Sequence, residues 1–331
     1  MNSRQKDVSI ETLRGFAVLF MVAGHIIGSN LTGMKVAEDS GWTYSFFSFE
    51  YLRMPLFTVI SGYVYSLQPA GNSTFLKFIQ GKGRRLLLPL LSVGTLHFLI
   101  QYFVPGTNNK LPLSDMWQIY ILPYGHFWFV QSIFLIFVTI GLIDQFKLML
   151  SFRNWIIIFI SASLIRNFIP NFSFNLFSIN GFFNLLPFFI LGCGIKRFNS
   201  YFTGKIIIRS ALAVFVITVI LQQYTWFTQY IVNDYEFEIL SLLEACSGIM
   251  LLFYIKKNIT IMSKIGYYAF GIYLFHVLGT AGSRIILKKY DVDERYILFT
   301  MGLIFGIGIP IVIELILEKS KMLRRLFLGL R

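Results

Sequence analysis

A chain of 331 residues of which 56% are hydrophobic, 18% aromatic and only 14% charged, with a mean hydropathy of +0.66, is too apolar for a soluble domain. Its net charge of +13 does not point to nucleic acid, because Lys and Arg fall in short clusters between long apolar runs, which is the pattern of membrane topology. Cys193 and Cys246 each lie in apolar sequence with no CxxC or Cys/His grouping, so they read as small packing residues, and no metal site or structural disulfide is expected.

Apolar runs of a length to cross a bilayer, bounded by charge, Gly or Pro, predict an all-α polytopic transmembrane bundle of about ten spans and a single membrane domain over 1–331. The predicted helices are 10–30, 46–68, 84–104, 126–145, 153–171, 180–197, 204–224, 238–256, 265–288 and 296–318. The first follows a short basic stretch but offers no small-x-small cleavage site, so it is expected to be retained as a span. The sixth is short and contains Pro187, which predicts a kink or an incomplete crossing.

Cations define an orientation. Arg4, Lys6, Lys77, Lys82, Arg84, Arg85, Lys147, Arg153, Lys196, Arg197, Lys205, Arg209, Lys256, Lys257, Lys264, Lys319, Lys321, Arg324, Arg325 and Arg331 all fall in tails and loops of one side. The opposite loops hold fewer cations, diluted by acids such as Glu38, Asp39, Asp234, Glu236, Asp291 and Asp293. The positive-inside rule then places both termini in the cytoplasm, which requires an even number of spans.

Polar chemistry enters the apolar segments at five places. In the first span, ten residues separate Arg14 from His25. Eleven steps of about 100° return the two side chains to within about 20° of each other, roughly 16 Å apart along the axis. A cation and an imidazole on one stripe of an apolar helix are costly in hydrocarbon, so both are expected to face the protein interior and to act there. The second place is FEYLRMPLFTVISGY, with Glu50 and Arg53 one turn apart and Ser61 beyond them. The third is GKGRRLLLPLL, a basic cluster at the mouth of the third span, and the fourth is GHFWFVQSIF, with His126 and Trp128. The fifth is IGYYAFGIYLFH, ending at His276. His97 belongs to no such grouping and reads as a core residue.

Taken in order, these stretches resemble the acyltransferase 3 membrane proteins, which acylate sugars of bacterial surface polysaccharides and related glycans. Arg14 and His25 match the family's first-helix motif, with Glu11 where Asp is usual in IETLRG. Pro55 to Tyr63 resembles the second-helix motif, with Thr58 where Phe is commoner. Lys82-Gly-Arg84-Arg85 is similar to an Arg-x-x-Arg motif, with Lys82 replacing the first Arg, and Phe127-Trp128-Phe129 and the stretch ending at His276 match as well.

The resemblance implies an O-acyltransferase of the bacterial inner membrane that uses acyl-CoA, most commonly acetyl-CoA, with no metal. The acceptor it implies is a sugar hydroxyl of a polysaccharide or a lipid-linked saccharide. Arg14, with Lys82 and Arg85, suits the phosphates or thioester oxygen of the donor, since a guanidinium stays charged and donates bidentately. His25 serves as general base or as transient acyl carrier, and both remain open. Glu50 lines the acceptor pocket or pairs with Arg53, and Ser61 acts through positioning. Arg53, His126, Trp128 and His276 are assigned to the acceptor, and Glu11 is expected to hold Arg14 or to cap the helix. Partners implied are the lipid bilayer and polysaccharide biosynthesis proteins, not nucleic acid. A different class, a transporter or flippase for a lipid-linked glycan, would use the same buried charges without covalent change.

Overall fold

The computed structural model describes residues 7–29, 31–70, 74–108, 110–230 and 233–330. Arg4, Lys6 and Arg331, used above for orientation, lie outside the described residues. In chain order the helices are α1 (Val8–Ile27), α2 (Gly41–Ser48), α3 (Glu50–Tyr65), α4 (Phe75–Phe103), α5 (Gln118–Ile121), α6 (Trp128–Gln145), α7 (Phe152–Phe168), α8 (Ile179–Arg197), α9 (Asn199–Phe202), α10 (Lys205–Thr228), α11 (Asp234–Ile255), α12 (Thr260–Tyr267), α13 (Ala269–Lys289), α14 (Arg295–Leu317) and α15 (Lys321–Leu328). The fold is an all-α polytopic bundle: among the described residues, eight helical segments are long and apolar enough to cross a membrane. The two other expected spans are α3 and α7, helices of 16 and 17 residues. Many large apolar side chains remain exposed, including Ile206, Ile217, Ile220 and Phe227 on α10, as a surface bathed in lipid requires.

Four boundaries differ from the sequence reading. Helix α4 starts at Phe75, so Lys82, Arg84 and Arg85 sit inside a 29-residue helix rather than at its mouth. The expected span 46–68 divides at Phe49, where the backbone leaves the helical region (φ −113°, ψ 5°), into α2 and α3. The expected span 265–288 is two helices, α12 and α13, meeting at Tyr268. Helix α8 continues through Pro187 over 19 residues and is one of the eight; the irregular backbone lies just before it, at Phe177 and Ser178. Hydropathy reports the apolar content of a run and is blind to such local changes of φ and ψ.

The chain packs as two compact units. The first comprises Met1–Phe47, Lys82–Gln131 and Ile259–Arg331. Here α1 lies against α12, α13 and α14, and α13 lies along α14. Helix α1 begins on Asp7, whose carboxylate accepts from Ser9 N–H at 2.9 Å. It buries Leu13, Ala17, Val18, Met21, Val22 and Ile26. Backbones of α1 and α12 touch through reciprocal glycines: a Cβ on Gly15 would overlap the Met262 carbonyl, and one on Gly266 the Glu11 carbonyl. Thr12 Oγ1 adds a tie, accepting from Ile259 N–H at 3.1 Å while donating to the Val8 carbonyl at 2.8 Å.

The second unit comprises Ser48–Gly81 and Ser132–Asn258. Helix α3 packs on α8 and α11, and α7 packs on α8. Two buried ion pairs tie it internally. Arg197 donates to both oxygens of Asp144 at 2.7 and 2.6 Å, and Tyr65 Oη adds a third bond to Asp144 at 2.6 Å. Arg166 pairs with Glu238 at 2.5 Å and donates to Ser241 Oγ at 2.9 Å and the Asn184 carbonyl at 3.2 Å. Trp155 Nε1 donates to the Ile190 carbonyl at 2.8 Å. Neither cysteine is in a disulfide.

Candidate active site

All four histidines of the chain converge in the first unit. His25 comes from α1, His97 from α4, His126 from the turn Gly125–Phe127 that precedes α6, and His276 from α13. The ring centroids of His25 and His276 are 4.8 Å apart, those of His276 and His126 4.7 Å, and those of His126 and His97 5.5 Å. His25 and His126 are 6.3 Å apart. The rings differ in access: His25 is exposed, whereas His126 and His276 are 4% and 0% exposed. His25 thus joins the cluster while remaining accessible. It stands beside buried imidazoles, yet part of its ring is open to an incoming molecule.

The hydrogen bonds set tautomers. His276 Nδ1 lies 2.9 Å from the Tyr273 carbonyl and 3.2 Å from that of Ile272. Carbonyls only accept, so Nδ1 carries a proton, and in the neutral ring Nε2 keeps its lone pair. That Nε2, like Nε2 of His126, is buried with no hydrogen-bond partner among the described residues. His97 Nδ1 lies 3.1 Å from Tyr124 Oη. The Tyr124 hydroxyl donates to Gln101 Oε1, whose amide is oriented by Nε2 donating to the Asn108 carbonyl, so His97 must be the donor to Tyr124. Tyr273 donates its hydroxyl to the His126 carbonyl and fixes the turn that carries that ring. Gln131 Nε2 steadies the same loop through the Tyr120 and Leu122 carbonyls at 3.3 and 3.2 Å.

A charged group accompanies the imidazoles in this unit. Arg14 Nη1 donates to Glu11 Oε1 at 2.7 Å, which commits one of five guanidinium N–H groups. Arg85 lies over the Phe270 ring at 5.6 Å and within electrostatic reach of Arg14 and of Glu314 on α14. Glu314 is 8% exposed, its carboxylate set against the backbone of Gly271. Lys82 is half-buried within reach of Arg85. Among the described residues no group of three or more His, Cys, Asp and Glu is disposed to hold a metal ion.

The sequence-predicted residues thus divide. Arg14, His25, Lys82, Arg85, His126 and His276 lie in the first unit, and the three histidines are in mutual contact. Trp128 starts α6 half-buried, its ring against Phe129. Glu50, Arg53 and Ser61 belong to the second unit. Glu50 and Arg53 are within electrostatic reach of each other on α3, and Ser61 Oγ donates to the Phe57 carbonyl at 2.8 Å. Sequence reasoning missed His97 and Glu314. Each offered a signal, as an ionisable side chain within a membrane-spanning helix.

Eight helical segments among the described residues long and apolar enough to cross a membrane mark an integral membrane protein, and its first unit carries a cluster of four imidazoles. The family model described as an acyltransferase domain matches residues 7–317, and the chain belongs to that acyltransferase 3 family of membrane acyltransferases. No curated protein and no solved structure matched it.

Proposed function

We propose that the protein is an O-acyltransferase, with acetyl-CoA as donor and a sugar hydroxyl of an exported or surface polysaccharide, or of its lipid-linked precursor, as acceptor. The reading takes the chain as one acyltransferase domain of a bacterial inner membrane with both termini in the cytoplasm. The observation that carries it is the accessible His25 ring beside buried His276, whose Nε2 keeps its lone pair. Arg14, Lys82 and Arg85 take the phosphates and thioester oxygen of the donor. As general base, His25 removes the hydroxyl proton while the sugar oxygen attacks the thioester carbon. As acyl carrier, its ring nitrogen attacks first and the sugar oxygen displaces it. In either course the C–S bond breaks, a C–O bond forms, and the hydroxyl proton ends on the CoA sulfur. His126 and Trp128 of the first unit are assigned to binding and orienting the acceptor.

The test is NMR of surface polysaccharide from a deletion strain carrying wild type or His25→Ala at equal membrane abundance. Acyl signals restored by wild type alone support the reading and identify the group. Restoration by both removes His25 from the chemistry. A glycan that is unacylated in the parent strain overturns the acyltransfer assignment in favour of glycan transport.

A further inference from the structure

The first unit carries a second feature that the proposed acyl transfer does not use. Helix α15 is held to α4 at its end: Ser92 Oγ donates to the Leu326 carbonyl at 2.7 Å, Arg84 Nε donates to the Gly329 carbonyl at 3.1 Å, and Leu328 is buried. Gly329 has a positive φ of 62°, and a Cβ there would strike the backbone of Arg84 and Arg85, so a glycine is required for this docking. Beside the attachment lies a cleft of about 700 Å³ lined by Arg84, Leu88, Lys321, Met322, Arg325 and Leu326.

Its lining is ordered. At about 100° per residue, Lys321 and Arg325 form one stripe of α15, and Met322 and Leu326 form the next. Arg84 and Leu88 stand one turn apart on α4 and repeat the cation-then-apolar order. Three cations and three apolar side chains thus line the cleft, with no carboxylate and no aromatic ring among the six residues. The cations match a phosphate diester, and Leu88, Met322 and Leu326 match hydrocarbon chains. The adenine of a nucleotide would find no ring to stack on. Met322 is 75% exposed at the edge of an amphipathic helix that follows the last apolar crossing segment, the setting of an interfacial helix.

We propose that this cleft binds an anionic phospholipid, with the phosphate at Arg84, Lys321 and Arg325 and the acyl chains over Leu88, Met322 and Leu326. The six lining residues are not the donor residues Arg14, Lys82 and Arg85, although Arg84 adjoins Arg85, and the CoA arm of the titration below tells the two readings apart.

Full-length protein in detergent is titrated with phosphatidylglycerol, phosphatidylcholine or CoA and followed by native mass spectrometry. Wild type retains phosphatidylglycerol in preference to phosphatidylcholine. The K321Q/R325Q variant loses that preference by on the order of thirty-fold, from about fivefold per cation near an anionic surface. The charge-conserving K321R/R325K variant retains it, which separates loss of binding from loss of fold. No headgroup preference in wild type overturns the proposal, as does phosphatidylglycerol retention unaffected by K321Q/R325Q. If CoA binding is what falls in that variant, the cleft is a nucleotide subsite and the lipid assignment fails.

Discussion

At the scale of single residues, exposure and tautomer separate the histidines by role. Because His25 is exposed, His25→Ala leaves the buried core of the unit intact, and acyl transfer falls by about 10²-fold or more at unchanged abundance, the loss expected for a general acid–base group. Turnover of acyl-CoA by purified protein checks this. His276→Asn keeps a donor toward the Tyr273 carbonyl and removes the Nε2 lone pair. It lowers kcat by at least about tenfold with KM for acyl-CoA unchanged, whereas a packing role would lower thermal stability and spare kcat. Tyr273→Phe loosens the turn holding His126 at a cost of about 1 kcal/mol, read as a lowered unfolding midpoint. Arg14 and His25 were legible because spacing on one helix is a sequence property. The contacts of His97 were not, because they depend on how α4 meets the turn before α6, and no local pattern encodes that meeting.

At the scale of elements, close approach and buried pairing hold the helices together. The reciprocal Gly15 and Gly266 contacts leave no room for a side chain, so Gly266→Leu separates α1 from α12 and reduces the folded protein recovered from membranes. Fluorescence-detected size-exclusion chromatography of matched preparations measures it. In the second unit Asp144→Ala strands Arg197 without its carboxylate at a cost of about 3–5 kcal/mol, the range for breaking a buried ion pair. Thermal unfolding in detergent should register that loss. The sequence reading used Arg197 as a topology cation, yet it is committed to Asp144 far away in the chain, and Arg166 is likewise committed to Glu238. Charge counting locates such residues relative to the apolar runs but cannot say which carboxylate the fold brings to them. Apolar run lengths did locate eight of the ten expected spans among the described residues, because burying about twenty residues in hydrocarbon is a constraint on composition.

At the scale of the whole molecule, an even number of spans, ten by the sequence reading, and the bias of cations predict that both termini lie on the same, cytoplasmic side. Reporter fusions at each end test it, and opposite sides would mean that one of the shorter helices, α3 or α7, does not cross. The family match over residues 7–317 was legible from short motifs in order, since each carries chemistry that the apolar background makes conspicuous. Glu314 shows the limit, a lone acid in an apolar helix whose neighbourhood with Arg85 emerges only on packing. The convergence of every histidine on one place also gives the protein a built-in reporter. Protein labelled with ¹⁵N at histidine alone would show imidazole resonances from the site and nowhere else, so ligand arrival, proton movement or an acylated ring nitrogen could be followed against an empty background.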